Sequence, residues 1–520
     1  MRIGIVTAVA LSLLQMQAGG VAAQESKATT ARVAIASTID TLDPAKITAN
    51  LSGAVLRTVF EQLVKRNADG SFEGLLATSW SVDESKTVWT FNLRRDVRFH
   101  DGEPFNAAAV ERTFARVLDP NAVIPLRQNL GPIKAVKAVD PFTVTIETKA
   151  PFNGLLGGLT HQVASIVSPR TLEQWGSELG RHPGAGTGPF KIASFRLPDE
   201  LKLERFDGYW GPKARVGAME ILARADAQTR LASLLSDEVD LDFYVSPEGQ
   251  GRVKASDGHD VAMIEGDRFF MVALPMAHPA FQDIRVRKAL NHAIDREQIV
   301  KSVYLGAATV VDAAITPGMF GYAPGSAYTY DPALAKKLLE EAGWKLNAAG
   351  VLEKDGQPFP TLRLLASRGR YQKDSQLAEV VLAYLKRIGV PATLQLEEFA
   401  VFFPAAQEAS KTGTGLVQMA WSSPTGDGGW MICGVYAPGN SFNFGKYDNP
   451  EMAKYCKDIQ NEFDVTKRKA LIAEAVGKIY ADVPAIYMVI PNYIVGYKKG
   501  LSGVEYSPAE YHSLNNIEKK

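Results

Sequence analysis

The sequence predicts an α/β chain arranged as two lobes. Three observations carry that reading. Alternating runs of β-branched and aromatic residues recur through the first half, bounded by Gly, Asp and Asn. Around residues 275–281 the composition changes to Pro, His, Pro and Gln, and helical periodicity dominates beyond it. Further on, residues 362–366, 374–388 and 392–398 read as a β-α-β unit, which pairs its strands in parallel. The 520 residues, 46% hydrophobic and 22% charged, are enough for a large buried core.

The elements follow in order. Residues 32–36 form a short β-type run. Residues 49–63 show helical spacing, with Leu51, Val55, Val59 and Leu63 recurring every fourth position. Residues 80–82 and 87–93 alternate as hairpin strands, and His100-Asp101-Gly102 turns the chain. That position gives His100 a turn role rather than a catalytic one. Asn106 is placed to cap a helix over 107–117. Residues 136–140 and 143–148 form a further strand pair. The Gly-rich segment 184–190 lacks phosphate-cradle spacing, because Pro189 interrupts it and no Gly-Lys-Ser/Thr follows; it reads as a sharp crossover. Strands are expected at 202–206, 239–245 and 269–274, with a helix at 227–235. In the second half, residues 284–304 are amphipathic with Asp283 and Asp295 as caps, and Asp331-Pro332 opens a helix that ends at Gly343. A helix over 465–481 and an apolar run over 485–490 close the second lobe. The expected boundaries are lobe I at 24–278 with an extra subdomain at about 65–186, lobe II at 279–490, and a return to lobe I at 491–520.

The N-terminus fits a secretory signal peptide. Arg2 precedes an apolar run over 3–14, and Val21-Ala22-Ala23 matches a small-residue cleavage site that leaves Gln24 first. The apolar run is too short to span a bilayer, and no Cys follows the cleavage site to carry a lipid. The expected location is a bacterial periplasm. Lys+Arg and Asp+Glu both number 57, so nothing favours nucleic acid. In an oxidising compartment the two cysteines, Cys433 and Cys456, are expected as a disulfide worth about 3 kcal/mol. Metal binding is the alternative, but two Cys without nearby His make a poor site.

One stretch stands out as a pocket. Residues 421–430 read Trp-Ser-Ser-Pro-Thr-Gly-Asp-Gly-Gly-Trp, after a strand-like run and before an expected loop. Two flat aromatic walls, exposed backbone and one carboxylate, Asp427, suit a small polar organic ligand. The alternative is a surface loop whose Trp side chains turn inward. Enzyme constellations are missing: there is no Gly-x-Ser-x-Gly, no Ser-x-x-Lys, no His-Glu-x-x-His, and the seven His are scattered. No metal or cofactor is called for.

Several segments together resemble the family 5 extracellular solute-binding proteins of ABC importers. They are the run Trp89 to Asn106, Gly186-Thr-Gly-Pro-Phe190, Tyr209-Trp-Gly211, Asp283 to Arg296, and Asp331-Pro332 through Gly343-Trp344. The resemblance implies a monomeric two-lobed periplasmic receptor of the type II, "Venus flytrap" kind, closing over a small-molecule or short-peptide ligand and docking on a membrane permease. In peptide binders of that family, an Asp soon after the equivalent of Trp421 pairs with the ligand amine. Pro424 stands there in this sequence, and Asp427 is the expected substitute. The pattern from Trp421 to Trp430 is closest to the glutathione-binding branch, as are Arg127-Gln-Asn-Leu130 and Gly369-Arg370-Tyr371. On that resemblance Arg127 and Arg370 would grip carboxylates, Asp427 an ammonium, and Trp421, Trp430 and Tyr371 would form walls, with Ser423 and Thr425 at the turn. Nickel chelates, opines and sugar esters are alternative solutes. A secreted hydrolase is the alternative from another class.

Overall fold

The computed structural model describes residues 29–67, 70–348, 350–413 and 415–520. The expected signal peptide lies outside the described residues. Two large sheets organise the chain. The first has seven strands in the order His259–Ile264, Tyr493–Lys498, Leu241–Asp242, Thr30–Ile35, Ala218–Ala223, Glu200–Arg205, Phe190–Arg196. Thr30–Ile35 runs parallel to both neighbours, and the other pairings are antiparallel. The second has five strands in the order Ala392–Glu397, Leu362–Ser367, Gly415–Trp421, Phe269–Ala273, Ala485–Tyr487. Its first three strands are parallel, so the expected β-α-β unit forms, with the helix Asp374–Arg387 as its crossover. A separate four-stranded antiparallel sheet, Ala77–Val82, Val88–Leu93, Thr143–Thr148 and Ile133–Asp140, lies within the stretch expected to form an extra subdomain.

Phe269–Ala273 is buried at every position and belongs to the second sheet. The expected change of lobe after residue 278 therefore comes one strand later than the change of sheet. The chain crosses between sheets twice, at residues 265–268 and at 491–492. The strands of the second sheet are covered on both faces, which is why they read as near-continuous apolar runs. Phe270, Leu364, Ala366, Ala420 and Ile486 face one core, and Phe269, Leu365, Met419, Trp421 and Tyr487 face the other.

The expected caps form. The side chains of Asn106, Asp283, Asp295 and Asp331 each accept a backbone N–H in the first turn of the following helix. Two local expectations fail for tertiary reasons. The helix expected over 49–63 stops at Leu56. Beyond it the chain leaves the helix through turns over residues 57–60, and the carbonyls of Thr58, Val59 and Glu61 accept N–H bonds from Phe190, Gly188 and Ile166, so this apolar segment is tied to the Gly-rich crossover. A Cβ on Gly186 or Gly188 would lie 2.0 Å or 2.3 Å from those backbone oxygens, which is why glycine sits there. The loop expected after Trp430 is instead the helix Gly428–Tyr436. A helix over Phe399–Thr412, missed in the sequence, precedes the strand to Trp421.

His100 plays the structural role expected of it. Nδ1 accepts the Gly186 N–H at 3.2 Å and Nε2 lies 2.9 Å from the Gly188 carbonyl, and burial lowers its pKa to about 4. Two of the family-like segments converge on one buried acid. Glu61 accepts hydrogen bonds from Thr187 Oγ1 (2.9 Å), Tyr209 OH (2.8 Å) and Trp210 Nε1 (2.8 Å).

Candidate binding site between the lobes

The Trp-bracketed turn is built from its own side chains. Ser423 Oγ accepts the Asp427 N–H at 2.8 Å, and the Ser423 carbonyl accepts the Gly426 N–H. Gly426 sits at φ +65°, a left-handed position that glycine holds without strain. Phe320 and the turn exchange backbone bonds on both sides, Phe320 N to Gly426 O and Gly428 N to Phe320 O. Asp427 caps the helix Gly428–Tyr436, its Oδ1 accepting from the N–H groups of Gly429 and Trp430. Its Oδ2 accepts from Arg468 Nη2 at 2.8 Å, with both side chains largely buried. Both carboxylate oxygens are thus committed inside the second lobe. Trp421 is buried against Phe442 and Phe444, and Trp430 is half-buried on the same core. Cys433 of the capped helix is disulfide-bonded to Cys456 of the helix Pro450–Asn461.

The Gly369-Arg370-Tyr371 loop is organised by Asp374. This buried carboxylate accepts the N–H groups of residues 369, 370 and 371. Arg370 is exposed, its guanidinium over the rings of Phe399 (4.9 Å) and Tyr371 (5.6 Å). Tyr371 meets Phe270 edge-on and carries the Arg268 guanidinium 5.2 Å above its ring. Tyr371 therefore packs with the core on one face of the second sheet, and Trp421 with the core on the other. Arg127 turns back on its own loop, donating to the carbonyls of Asp119 (2.7 Å) and Ala122. The structure does not gather these eight residues into one shell.

It gathers a different set. Where the two sheets meet, Arg57, Arg268, Glu510 and Tyr511 lie deep in the molecule, yet none is closed off from solvent-sized space. Arg57 sits 5.0 Å from the Tyr511 ring centre and donates to the Thr160 carbonyl at 2.8 Å. His161 approaches Tyr511 edge-on and lies 3.1 Å from Asn129, so the segment that carries Arg127 reaches this region through Asn129. Tyr244 OH donates to Glu510 and its ring meets Tyr493, which hydrogen-bonds Arg268. Asp267 donates its N–H to Pro508 O at 3.0 Å, and its Oδ2 is buried without a hydrogen-bond partner. Burial pushes the Asp267 carboxyl up to about 7 against the pull of Arg268 and Arg66, and pushes Glu510 up to about 7 against a bond from Asn50.

The lobes touch across this junction. Arg66 donates to Gly318 O at 3.1 Å and crowds Gly426; Gly157 abuts Thr425. Asn153 donates to the carbonyls of Ile459 (2.7 Å) and Glu462, and Lys373 pairs with Glu248. Trp89 of the extra subdomain meets Phe463 at 6.0 Å. A groove of about 890 Å³ lies elsewhere on the second lobe, beside Arg287, Lys446 and Asp482. Arg287 there is committed to the carbonyls of Phe281, Gln282 and Asp482.

The family model "Bacterial extracellular solute-binding proteins, family 5 Middle" matches residues 71–443. The chain belongs to that family. Family 5 proteins are the solute-binding components of ABC importers. This family 5 chain is 27% identical over 497 residues to the glutathione-binding protein GsiB of Pectobacterium atrosepticum, covering 94% of the chain and 93% of the relative. Among solved structures, it matches NikA from Brucella suis in complex with Fe(III)-EDTA at a TM-score of 0.83 and 25% identity, over 95% of the chain and 100% of that protein. HbpA2 from Haemophilus parasuis matches with the same TM-score, identity and coverage. These likenesses bear out the two-lobed binding-protein fold. A further solved structure of the same fold is the ABC transporter-associated periplasmic binding protein DppA from Helicobacter pylori in complex with the peptide STSA, at a TM-score of 0.75 and 22% identity, over 94% of the chain and 98% of that protein. No helix among the described residues is long and apolar enough to cross a membrane.

The cleft residues missed in the sequence are Arg57, Asp267, Arg268, Glu510 and Tyr511. Their signals were present but scattered: an acidic-basic pair at the entry to an apolar strand, and an acid beside Tyr-His in the tail. They have no motif spacing, because they come from three separate parts of the chain, at 57, 267–268 and 510–511.

Proposed function

We propose that this protein is a monomeric periplasmic receptor that captures a small peptide-like or otherwise carboxylated solute between its lobes and hands it to an ABC permease. It does so without turning the solute over. Export by the N-terminal signal peptide, without a lipid anchor, is part of the same reading. The observation that carries it is the pair of guanidinium groups, Arg57 and Arg268, set deep at the lobe junction beside Tyr511, Tyr371 and Tyr493. Guanidinium forks suit carboxylates, and the tyrosines supply flat walls with polar tips. Binding energy is spent on closing: a micromolar receptor has about 8 kcal/mol for this. The name of the GsiB relative places glutathione first among candidate solutes. Of the residues expected from the sequence, Tyr371 lines this region. Thr425 and the Trp421–Trp430 turn form the second-lobe lip against Arg66 and Gly157.

A second reading is a carboxylate-bearing metal chelate. It is favoured by the Fe(III)-EDTA complex of the NikA relative, since a polycarboxylate meets the same guanidinium chemistry. Native mass spectrometry of the purified protein, with identification of any released molecule, tests both readings. A bound peptide or polycarboxylate supports the receptor. If nothing is released and glutathione, dipeptides and chelates leave the melting temperature unmoved, the solute class is wrong. Loss of the solute over time would instead mean a hydrolase.

A further inference from the structure

The ligand's second pole is where the structure departs from expectation. An amine-binding carboxylate was expected at Asp427, which is occupied by two N–H groups and Arg468. The lobe junction holds two other acids. Glu510 is half-buried and held by Tyr244. It adopts φ +68°, a left-handed conformation that non-glycine residues rarely hold and that tends to persist where side chains serve a ligand. The backbone around it is fixed: Glu510 N donates to Ser507 O, Asn50 donates to Ala509 O, and Tyr511 OH donates to Asn50. Asp267 lies against Pro508, two residues away in sequence, with one carboxylate oxygen buried and unpartnered. A buried acceptor without a donor is costly, and a cationic ligand group removes that cost. Arg57 lies over the ring of Tyr511, the neighbour of Glu510, and Arg268 follows Asp267 and bonds Tyr493, so both guanidinium groups stand beside these acids.

Resting on the receptor reading above, we infer that Glu510, backed by Asp267, receives the ligand's ammonium group, so that the solute is a zwitterion with a free primary amine. Arg57 and Arg268 take its carboxylates, and the Trp421–Trp430 turn closes over it without supplying the anion. The amine-binding acid thus comes from the C-terminal return and the first sheet crossing, not from the second-lobe turn.

Calorimetry on the full-length mature protein tests this with glutathione and Met-Leu, each beside its N-acetylated form. Wild type is expected to bind a free-amine form about 10- to 100-fold more tightly than the acetylated one, the size of a lost charge-assisted hydrogen bond. Glu510→Gln is expected to lose most of that difference while changing the acetylated form's affinity by less than about threefold. Asp267→Asn should reduce the same difference. Equal affinity for free and acetylated forms in the wild type overturns the inference whether or not any variant folds. So does a Glu510→Gln variant that weakens both forms alike. If the wild type binds neither form of either probe, the peptide-receptor reading fails, and the inference with it.

Discussion

Arg468 Nη2 lies 2.8 Å from Asp427 Oδ2, while Asp427 Oδ1 caps the helix that follows the Trp-bracketed turn. The same carboxylate therefore ties together the turn, the helix Gly428–Tyr436 and the long helix Val465–Asp482.

This makes Asp427 a stability residue. Asp427→Ala is expected to lower stability by about 2–4 kcal/mol, combining a lost cap with an unpaired, largely buried guanidinium. Asp427→Asn keeps the cap and should lose less. Urea unfolding measures both, and a loss below about 0.5 kcal/mol for Asp427→Ala would place the carboxylate outside the framework.

Glu61 predicts a pH dependence. Burial raises its pKa from 4.5 to about 7, despite hydrogen bonds from Trp210, Tyr209 and Thr187. A carboxyl raised in the folded state binds protons more tightly there than when unfolded. Its charge burial thus costs nothing below pH 4.5, and the cost grows as pH rises to about 7 and is full above it. Glu61→Gln can keep the three contacts, its carbonyl accepting from Trp210 and Thr187 and its amide donating to Tyr209. The variant should match the wild type near pH 4 and gain on it by about 3 kcal/mol above pH 8, read by thermal unfolding across pH. A flat difference would mean that folding leaves the Glu61 carboxyl unshifted.

The Cys433–Cys456 bridge closes a loop of sequence separation 23. Replacing both with Ser is expected to cost about 3 kcal/mol in the chain-entropy account, measured by urea unfolding of the variant beside the oxidised and reduced wild type. The reduced wild type should fall with the variant.

Arg57→Ala and Arg268→Ala are each expected to weaken a carboxylate ligand about 10- to 100-fold. Arg370→Ala, at an exposed side chain stacked on Phe399, should change affinity by less than about threefold. Titration calorimetry with one carboxylate ligand ranks the three. An Arg370 effect larger than that of Arg268 would move the site outward.

Local chemistry was the part legible in the sequence. Asn106, Asp283 and Asp331 announce helix starts because a cap needs only the next three residues. The second sheet was legible because its central strands are largely apolar. The stretch after Leu56 was misread because its partners, Gly188 and Phe190, lie more than a hundred residues away and leave no mark on its own periodicity. The site shows the same divide. The turn at Trp421 stood out as a place, but the work of its carboxylate depends on Arg468, forty-one positions on. Arg57, Arg268 and Glu510 come from the first helix, a crossing segment and the tail, and only the topology makes them neighbours.

The strand Tyr493–Lys498 lies inside the first sheet, between His259–Ile264 and Leu241–Asp242, rather than at its edge. A polypeptide is delivered N-terminus first, so the lobe that begins the chain cannot finish until nearly the last residues arrive. Until then His259–Ile264 has no partner on that side, and its unpaired edge is open to other chains. The second sheet, whose strands all lie between residues 269 and 487, is complete earlier. A truncation of the last thirty residues would thus strip the sheet made first of its Tyr493–Lys498 strand and leave the His259–Ile264 edge open.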